Sequence, residues 1–349
     1  MTRLLLRLTT AVFALALLFF PQSGAQGARE GLALCAGTLL PSLFPAFVFT
    51  NLAIELGLGQ WLGRLLAPVM EPLFHLSGPC AAPLALGLLG GYPVGGQSLR
   101  NLLAQGGCSR EEAQRLLAFC NNSGPAFILG IVGSTVFQSL PIGLFLWLVH
   151  ALAALCVGLI LRKEGRYQPS ATPPIAETTA AAALTRSVKQ ALNSILQVSA
   201  YVVLFQVLLG LIQAMPLPDL SFSQSCQALL MGMLELTGGI CALTEELSLP
   251  GRLALASFLL GWGGLSVHCQ TAALLEDTGL AIAPYIQAKL LHGLISAGLC
   301  LVLLPLFSSL SGQAELPSLP GWMLLVLPAI LLLFLLCRKR GGKAQTKPL

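Results

Sequence analysis

GLLGGYPVGGQS, residues Gly87–Ser98, decides how the rest of the chain reads. Two glycine pairs, Gly90-Gly91 and Gly95-Gly96, bracket Tyr92-Pro93. Glycine accepts backbone conformations that other residues resist, and proline has no amide proton to donate. A helix that touches lipid does not concentrate such residues, because no water is present to take up the freed N–H and C=O groups. Yet the stretch lies inside an apolar segment, 80–104, whose glycines are followed by Gln97 and Arg100. It therefore reads as a re-entrant hairpin whose tip aims free backbone groups at a ligand. Close helix packing through small residues is the competing explanation.

Three more segments carry the same signature. Segment 226–247 holds LELTGG (Leu234–Gly239) and ends at Glu245-Glu246, which makes it a second hairpin. FCNNSGPAF (Phe119–Phe127) places Asn121, Asn122 and Ser123 ahead of Gly124-Pro125, where a helix has to break. GWGGLSVHCQT (Gly261–Thr271) sets Gly261, Gly263 and Gly264 beside Ser266, His268 and Gln270, which alternate as they would along an extended stretch.

The surrounding composition is that of a membrane protein. Of 349 residues, 55% are hydrophobic and 9% charged, and the mean hydropathy is +0.81. A soluble domain carries about a quarter charged residues, so this chain cannot cover a water-facing surface. The net charge of +5 does not indicate nucleic acid, since Lys and Arg sit in short runs between apolar segments. The ten cysteines are scattered singly and read as small buried hydrophobes; neither disulfides nor a bound metal is expected, and no cofactor.

The expected fold class is an all-α polytopic membrane protein, with about eight transmembrane helices plus the two re-entrant hairpins. The spans fall at 4–20, 31–56, 116–137, 140–161, 190–214, 251–275, 283–310 and 320–337. Residues 1–30 are either a retained first span or a signal-like segment with Ser23-Gly-Ala25 at its end. The first membrane repeat runs 31–161, a polar linker 162–189, the second repeat 190–310, a final span 320–337 and a basic tail 338–349. With the hairpins not crossing, every one of the 19 Lys and Arg except Arg29 and Arg252 falls on one side, counting Lys289 in a 276–289 loop. That side is cytoplasmic by the positive-inside rule, and it holds both termini and the linker. The expected location is thus the cell membrane.

The halves share an order: span, Gly-rich hairpin, Gly-interrupted span, His-bearing span. Leu86-Gly-Leu-Leu89 matches Met231-Gly-Met-Leu234, and Trp147-Leu-Val-His150 matches Lys289-Leu-Leu-His292. By the charge assignment the repeats have inverted topology, which points to a transporter-like site at the midplane. The candidate binding residues are Gly91, Tyr92, Gly95, Gln97, Asn121, Asn122, Ser123, Glu235, Thr237, Gly238, Gly264, Ser266, His268 and Gln270. A carboxylate at the depth of Glu235 is a functional hypothesis by default. His150 and His292 are as readily packing groups as site residues. No catalytic constellation is present: there is no G-x-S-x-G, H-E-x-x-H or Walker motif.

These motifs resemble a known family. PSLFPAFVFTNL (Pro41–Leu52), GGYPVGGQ (Gly90–Gln97), FCNNSGPAFILG (Phe119–Gly130), LELTGG (Leu234–Gly239), SFLLGWGGLSVHCQ (Ser257–Gln270) and KLLHG (Lys289–Gly293) resemble the sporulation integral membrane protein family of endospore-forming bacteria. That family is part of the nucleoside-recognition, or Gate-domain, group, which includes spore maturation proteins. The group is distantly similar to concentrative nucleoside transporters and ferrous-iron transport proteins. The resemblance implies a multi-pass membrane protein acting in spore cortex or envelope formation, and it supplies no substrate. The expected function is a permease for a small polar solute and not an enzyme. A non-transporting scaffold for envelope assembly is the alternative. The expected partners are the lipid bilayer and that solute, with no nucleic acid; assembly into a homo-oligomer is left open.

Overall fold

The structure, a computed structural model, describes residues 2–163, 179–215 and 223–311. The expected final span, the tail and residues 164–178 of the linker lie outside the described residues. All regular structure described is helical. Helix α1 covers Thr2–Phe19 and α2 covers Pro21–Glu55. A widened π turn, Cys35–Leu39, lies in α2 directly ahead of Pro41 and Pro45, which donate no amide proton. Helix α3 (Leu58–Phe74) turns through 103° into Gly78–Gly90, whose α-helical part is α4 (Ala81–Gly90). Helix α5 (Val94–Ala104) packs back along α4, so the two form a hairpin with Gly91-Tyr92-Pro93 at its tip.

A capping box opens α6 (Arg110–Cys120): Ser109 Oγ accepts from the amide of Glu112, and Glu112 Oε2 accepts from the amide of Ser109. Regular helix stops at Cys120, four residues ahead of the expected breaker Gly124-Pro125, and resumes directly after it as the π-helical α7 (Ala126–Val136). Helix α8 (Leu140–Ile160) closes the first half. The second half repeats the order. Long helix α9 (Ala180–Ala214) is followed by the hairpin α10 (Gln224–Leu234) and α11 (Leu236–Cys241), which turns at Glu235. The broken helix α12 (Leu249–Trp262) and α13 (Gly264–Leu274) comes next, then α14 (Ile282–Ser311).

Among the described residues, five helical runs are long and apolar enough to cross a membrane, six if the bent α3–α4 pair counts as one. They match the expected spans at 31–56, 140–161, 190–214, 251–275 and 283–310. The stretch at 4–20 is a shorter apolar helix, and 116–137 is the broken α6–α7 pair. Leu140, Leu144, Leu148 and Leu152 stand exposed on α8 at four-residue spacing, as do Leu184, Val188, Leu192 and Leu196 on α9. Apolar stripes of that length suit hydrocarbon rather than water.

Two expectations are corrected here. The linker ends earlier than residue 189, because α9 begins at Ala180. Thr179 caps it, and the run of Ala, Leu, Arg and Lys that follows is strongly helix-forming despite its polar look. Lys289 is not a loop charge. It lies two turns inside α14, 0% exposed.

Candidate functional site

The four breaks meet. Gly91 and Tyr92 from the first hairpin tip, Ser123 from the first broken helix, Glu235 and Thr237 from the second hairpin, and Ser266 and Gln270 from α13 line one cavity of about 60 Å³. Its other wall is apolar, with Leu39, Leu43 and Phe47 from α2 and Val198 and Val202 from α9. The close approach depends on glycine at Gly91, whose φ is 77° and where a Cβ would come within 2.5 Å of the Gly124 amide nitrogen. Any side chain there would drive the hairpin tip off the α6–α7 break.

Glu235 is 1% exposed, and its carboxylate works on its own hairpin. Oε1 accepts from the Thr237 amide at 3.0 Å, Oε2 from the Gly238 amide at 2.6 Å, and Gln206 Nε2 lies 3.5 Å from Oε2. The first two amides head α11 and have no partner within that helix, so the carboxylate caps it. Ser266 and Gln270 both face the cavity because they are one helical turn apart on α13; the segment is a helix and not the extended stretch expected. The Ser266 Oγ, 1% exposed, has no hydrogen-bond partner among the described residues. The Tyr92 hydroxyl is likewise unpartnered.

Other candidates stand behind this cavity or away from it. Asn121 joins four elements: its Oδ1 accepts from the Gly96 amide on α5, and its Nδ2 reaches Thr271 Oγ1 on α13 at 3.0 Å and the Tyr285 hydroxyl on α14 at 3.3 Å. Asn122 donates to the Phe119 carbonyl at 2.7 Å. His268 points to the opposite side of α13 from the cavity. Its ring stands edge-on to Trp262 at 4.4 Å and Tyr285 at 5.5 Å, and neither nitrogen has a partner among the described residues. Gly264 begins α13 at φ 83°, against the hairpin backbone at Leu234 and Leu236. Gly238 serves through its amide. Gly95 packs on the Cys120 carbonyl.

Gln97 departs from expectation. It faces a different and larger cavity of about 360 Å³, shared with Asn51, Gln60, Asn101, Gln190 and Asn193. Helix α5 leaves the tip at Val94, and one turn carries Gln97 out of the central site.

Sequence reasoning missed Lys289, Tyr285, Thr271 and Gln206. Lys289 Nζ lies 3.2 Å from the Asn121 carbonyl oxygen, 3.3 Å from Asn122 Oδ1 and 2.9 Å from His292 Nδ1. His292 continues the chain of contacts through Nε2 to the His150 carbonyl at 3.0 Å, and the two imidazoles stack at 4.5 Å. His150 Nε2 accepts from the Ser123 amide. The spacing in KLLHG was the available signal, since positions three apart share a helix face.

The small cavity sets a few hydroxyl, amide and carboxyl groups into a largely apolar lining, closed by backbone that has left helical geometry. Known proteins share its framework. The Gate family model, described as nucleoside recognition, matches residues 36–313. The sporulation integral membrane protein YlbJ of Bacillus subtilis (strain 168) is 31% identical over 312 residues, covering 79% of this chain and 76% of that protein. The solved structure of CNTnw in an inward-facing substrate-bound state superposes with a TM-score of 0.53 at 14% identity, covering 88% of each chain. At that identity the likeness is one of fold.

Proposed function

The chain belongs to the Gate, nucleoside-recognition family, and from that premise we propose that it is a permease for a small polar solute. One observation carries the reading: two hairpin tips and two broken helices converge on one cavity and set polar side chains into its largely apolar lining. Irregular backbone at membrane depth is tolerated where it lines a cavity or is covered by protein, and discontinuous helices around a central site are the architecture of secondary transporters. The solute contacts in this proposal are Tyr92, Ser123, Thr237, Ser266 and Gln270, with Glu235 holding the second hairpin in shape. Both termini are on the cytoplasmic side of the cell membrane. The name of the Bacillus subtilis relative supports a role in sporulation, and within it we place the protein in spore cortex or envelope formation. The protein does this work without catalysing a reaction.

The test is uptake of a mixed pool of small metabolites into proteoliposomes, read by mass spectrometry against protein-free vesicles. The expected result is selective accumulation of one solute class, weakened by Ser266→Val and Gln270→Leu. Retention of no compound above the protein-free control, in either orientation of the gradient, refutes the permease reading and leaves the scaffold.

A further inference from the structure

Three acceptors converge on Lys289 Nζ, and the role of each is fixed by its other bond. Asn122 Nδ2 lies 2.7 Å from the Phe119 carbonyl, which only accepts, so the oxygen of that amide is the atom turned to Lys289. His292 Nε2 lies 3.0 Å from the His150 carbonyl, which again only accepts. Nε2 therefore carries the ring proton, and Nδ1 offers its lone pair to Lys289 at 2.9 Å. The third acceptor is the Asn121 carbonyl. An ammonium has three N–H donors and a neutral amine has two. Three converging acceptors thus match the three N–H donors of an ammonium.

The surroundings suit a cation. The Tyr92 ring centroid lies 5.6 Å from Nζ, within cation–π range. Among the described residues, ion pairs join Arg100 to Asp277, Arg186 to Glu55 and Arg252 to Glu245, and no carboxylate lies within 4 Å of Lys289. What faces the charge instead is the C-terminal end of α6, with carbonyl oxygens that no further helical turn takes up. Lys289, Asn122 and His292 are each 0% exposed. Unwound carbonyls and half-helix ends of this kind hold free Na⁺ or H⁺ in discontinuous-helix transporters.

We propose that Lys289 is a built-in cation: its ε-ammonium fills a monovalent-cation site formed by the Asn121 carbonyl, Asn122 Oδ1, His292 Nδ1 and the face of Tyr92. The break between α6 and α7 is then complete without a free metal ion. This inference does not rest on the permease reading, because it concerns what completes the fold rather than what passes through it.

The experiment is thermal unfolding of the purified full-length chain in detergent, in NaCl, KCl or choline chloride at equal concentration. The wild-type Tm is expected to agree across the three salts to within about 1 °C. Lys289→Ala is expected to lower Tm in choline by roughly 5–10 °C. Na⁺, K⁺ or methylammonium then restores several degrees, and the restoration is lost when Asn122→Ala is added. Lys289→Gln, which keeps two donors and loses the charge, follows the same pattern with a smaller drop. A wild-type Tm that rises in Na⁺ over choline overturns the proposal, and this arm decides even where the variants do not accumulate. So does a Lys289→Ala protein as stable as wild type, or one whose Tm is the same in NaCl, KCl and choline chloride.

Discussion

Replacing Glu235 tests whether the second hairpin is held by its own carboxylate. In Glu235→Ala the Thr237 amide, the Gly238 amide and Gln206 Nε2 lose their acceptor, at a position 1% exposed. A buried donor left unsatisfied costs about 1–3 kcal/mol. The 3.5 Å contact to Gln206 is weak, so two amides dominate and the loss is about 4 kcal/mol. Glu235→Gln keeps an oxygen for one amide but turns an NH₂ group on the other, at about half that cost. With each kcal/mol shifting Tm by roughly 2–4 °C in a chain of this order, the falls are about 12 °C for Ala and about 6 °C for Gln. Differential scanning fluorimetry in detergent reads both. The ordering matters more than the size: Ala below Gln below wild type. If Gln is the more damaging, or both stay within 1 °C of wild type, the carboxylate does not cap α11 and Glu235 has to be reassigned to the solute.

Further outcomes follow from other contacts. Ser266→Ala removes a hydroxyl without a partner, so Tm should move by less than about 0.5 kcal/mol equivalent while solute uptake drops; a large loss of stability refutes a solute-facing role. Gly87→Val drives a side chain into the Cys120 carbonyl and should destabilise by about 2 kcal/mol or more, measured by urea or thermal unfolding. At the start of α6, outside the spans, burial pushes the Glu112 carboxyl up, but the amide and hydroxyl hydrogens of Ser109 and Ser77 outweigh it and hold the group below its usual value. A depressed carboxylate stabilises the fold above its unfolded value of about 4.3 and loses that contribution as pH falls through the folded value. The Tm gap between wild type and Glu112→Gln should therefore be open at neutral pH and close on acidification, and a pH-independent gap contradicts it. A maleimide that does not cross membranes should label a cysteine at Gln105 from the cytoplasmic side and one at Gln138 from the outside; labelling of both from one side overturns the orientation.

The hairpins and broken helices were legible because their signals are local. Gly91, Pro93, Gly124-Pro125 and Gly263-Gly264 constrain backbone wherever they stand, and the structure turns or breaks at each. Lys289 was not legible for the opposite reason. One Lys at the edge of an apolar run looks like a topology charge, and only a partner 168 positions earlier, the Asn121 carbonyl, shows why it is buried. Ser266, His268 and Gln270 were found together but misassigned to an extended stretch, because three closely spaced glycines outweighed the helix-forming residues after them. Gln97 was placed at the tip by proximity in sequence, whereas helical rise had already carried it away.

Asn121 sets a mechanical condition on any change of access. One side chain is bolted to α5, α13 and α14 at once. Pulling the first hairpin from the second half of the molecule severs the Gly96 bond if Asn121 stays with α13 and α14, or the two bonds to Thr271 and Tyr285 if it leaves with the hairpin, each worth about 1 kcal/mol net and more where a donor is left stranded. A displacement that carries the hairpin, the α6–α7 break, α13 and α14 together severs none of them. The joint thus favours displacements in which these pieces move together over ones that part them.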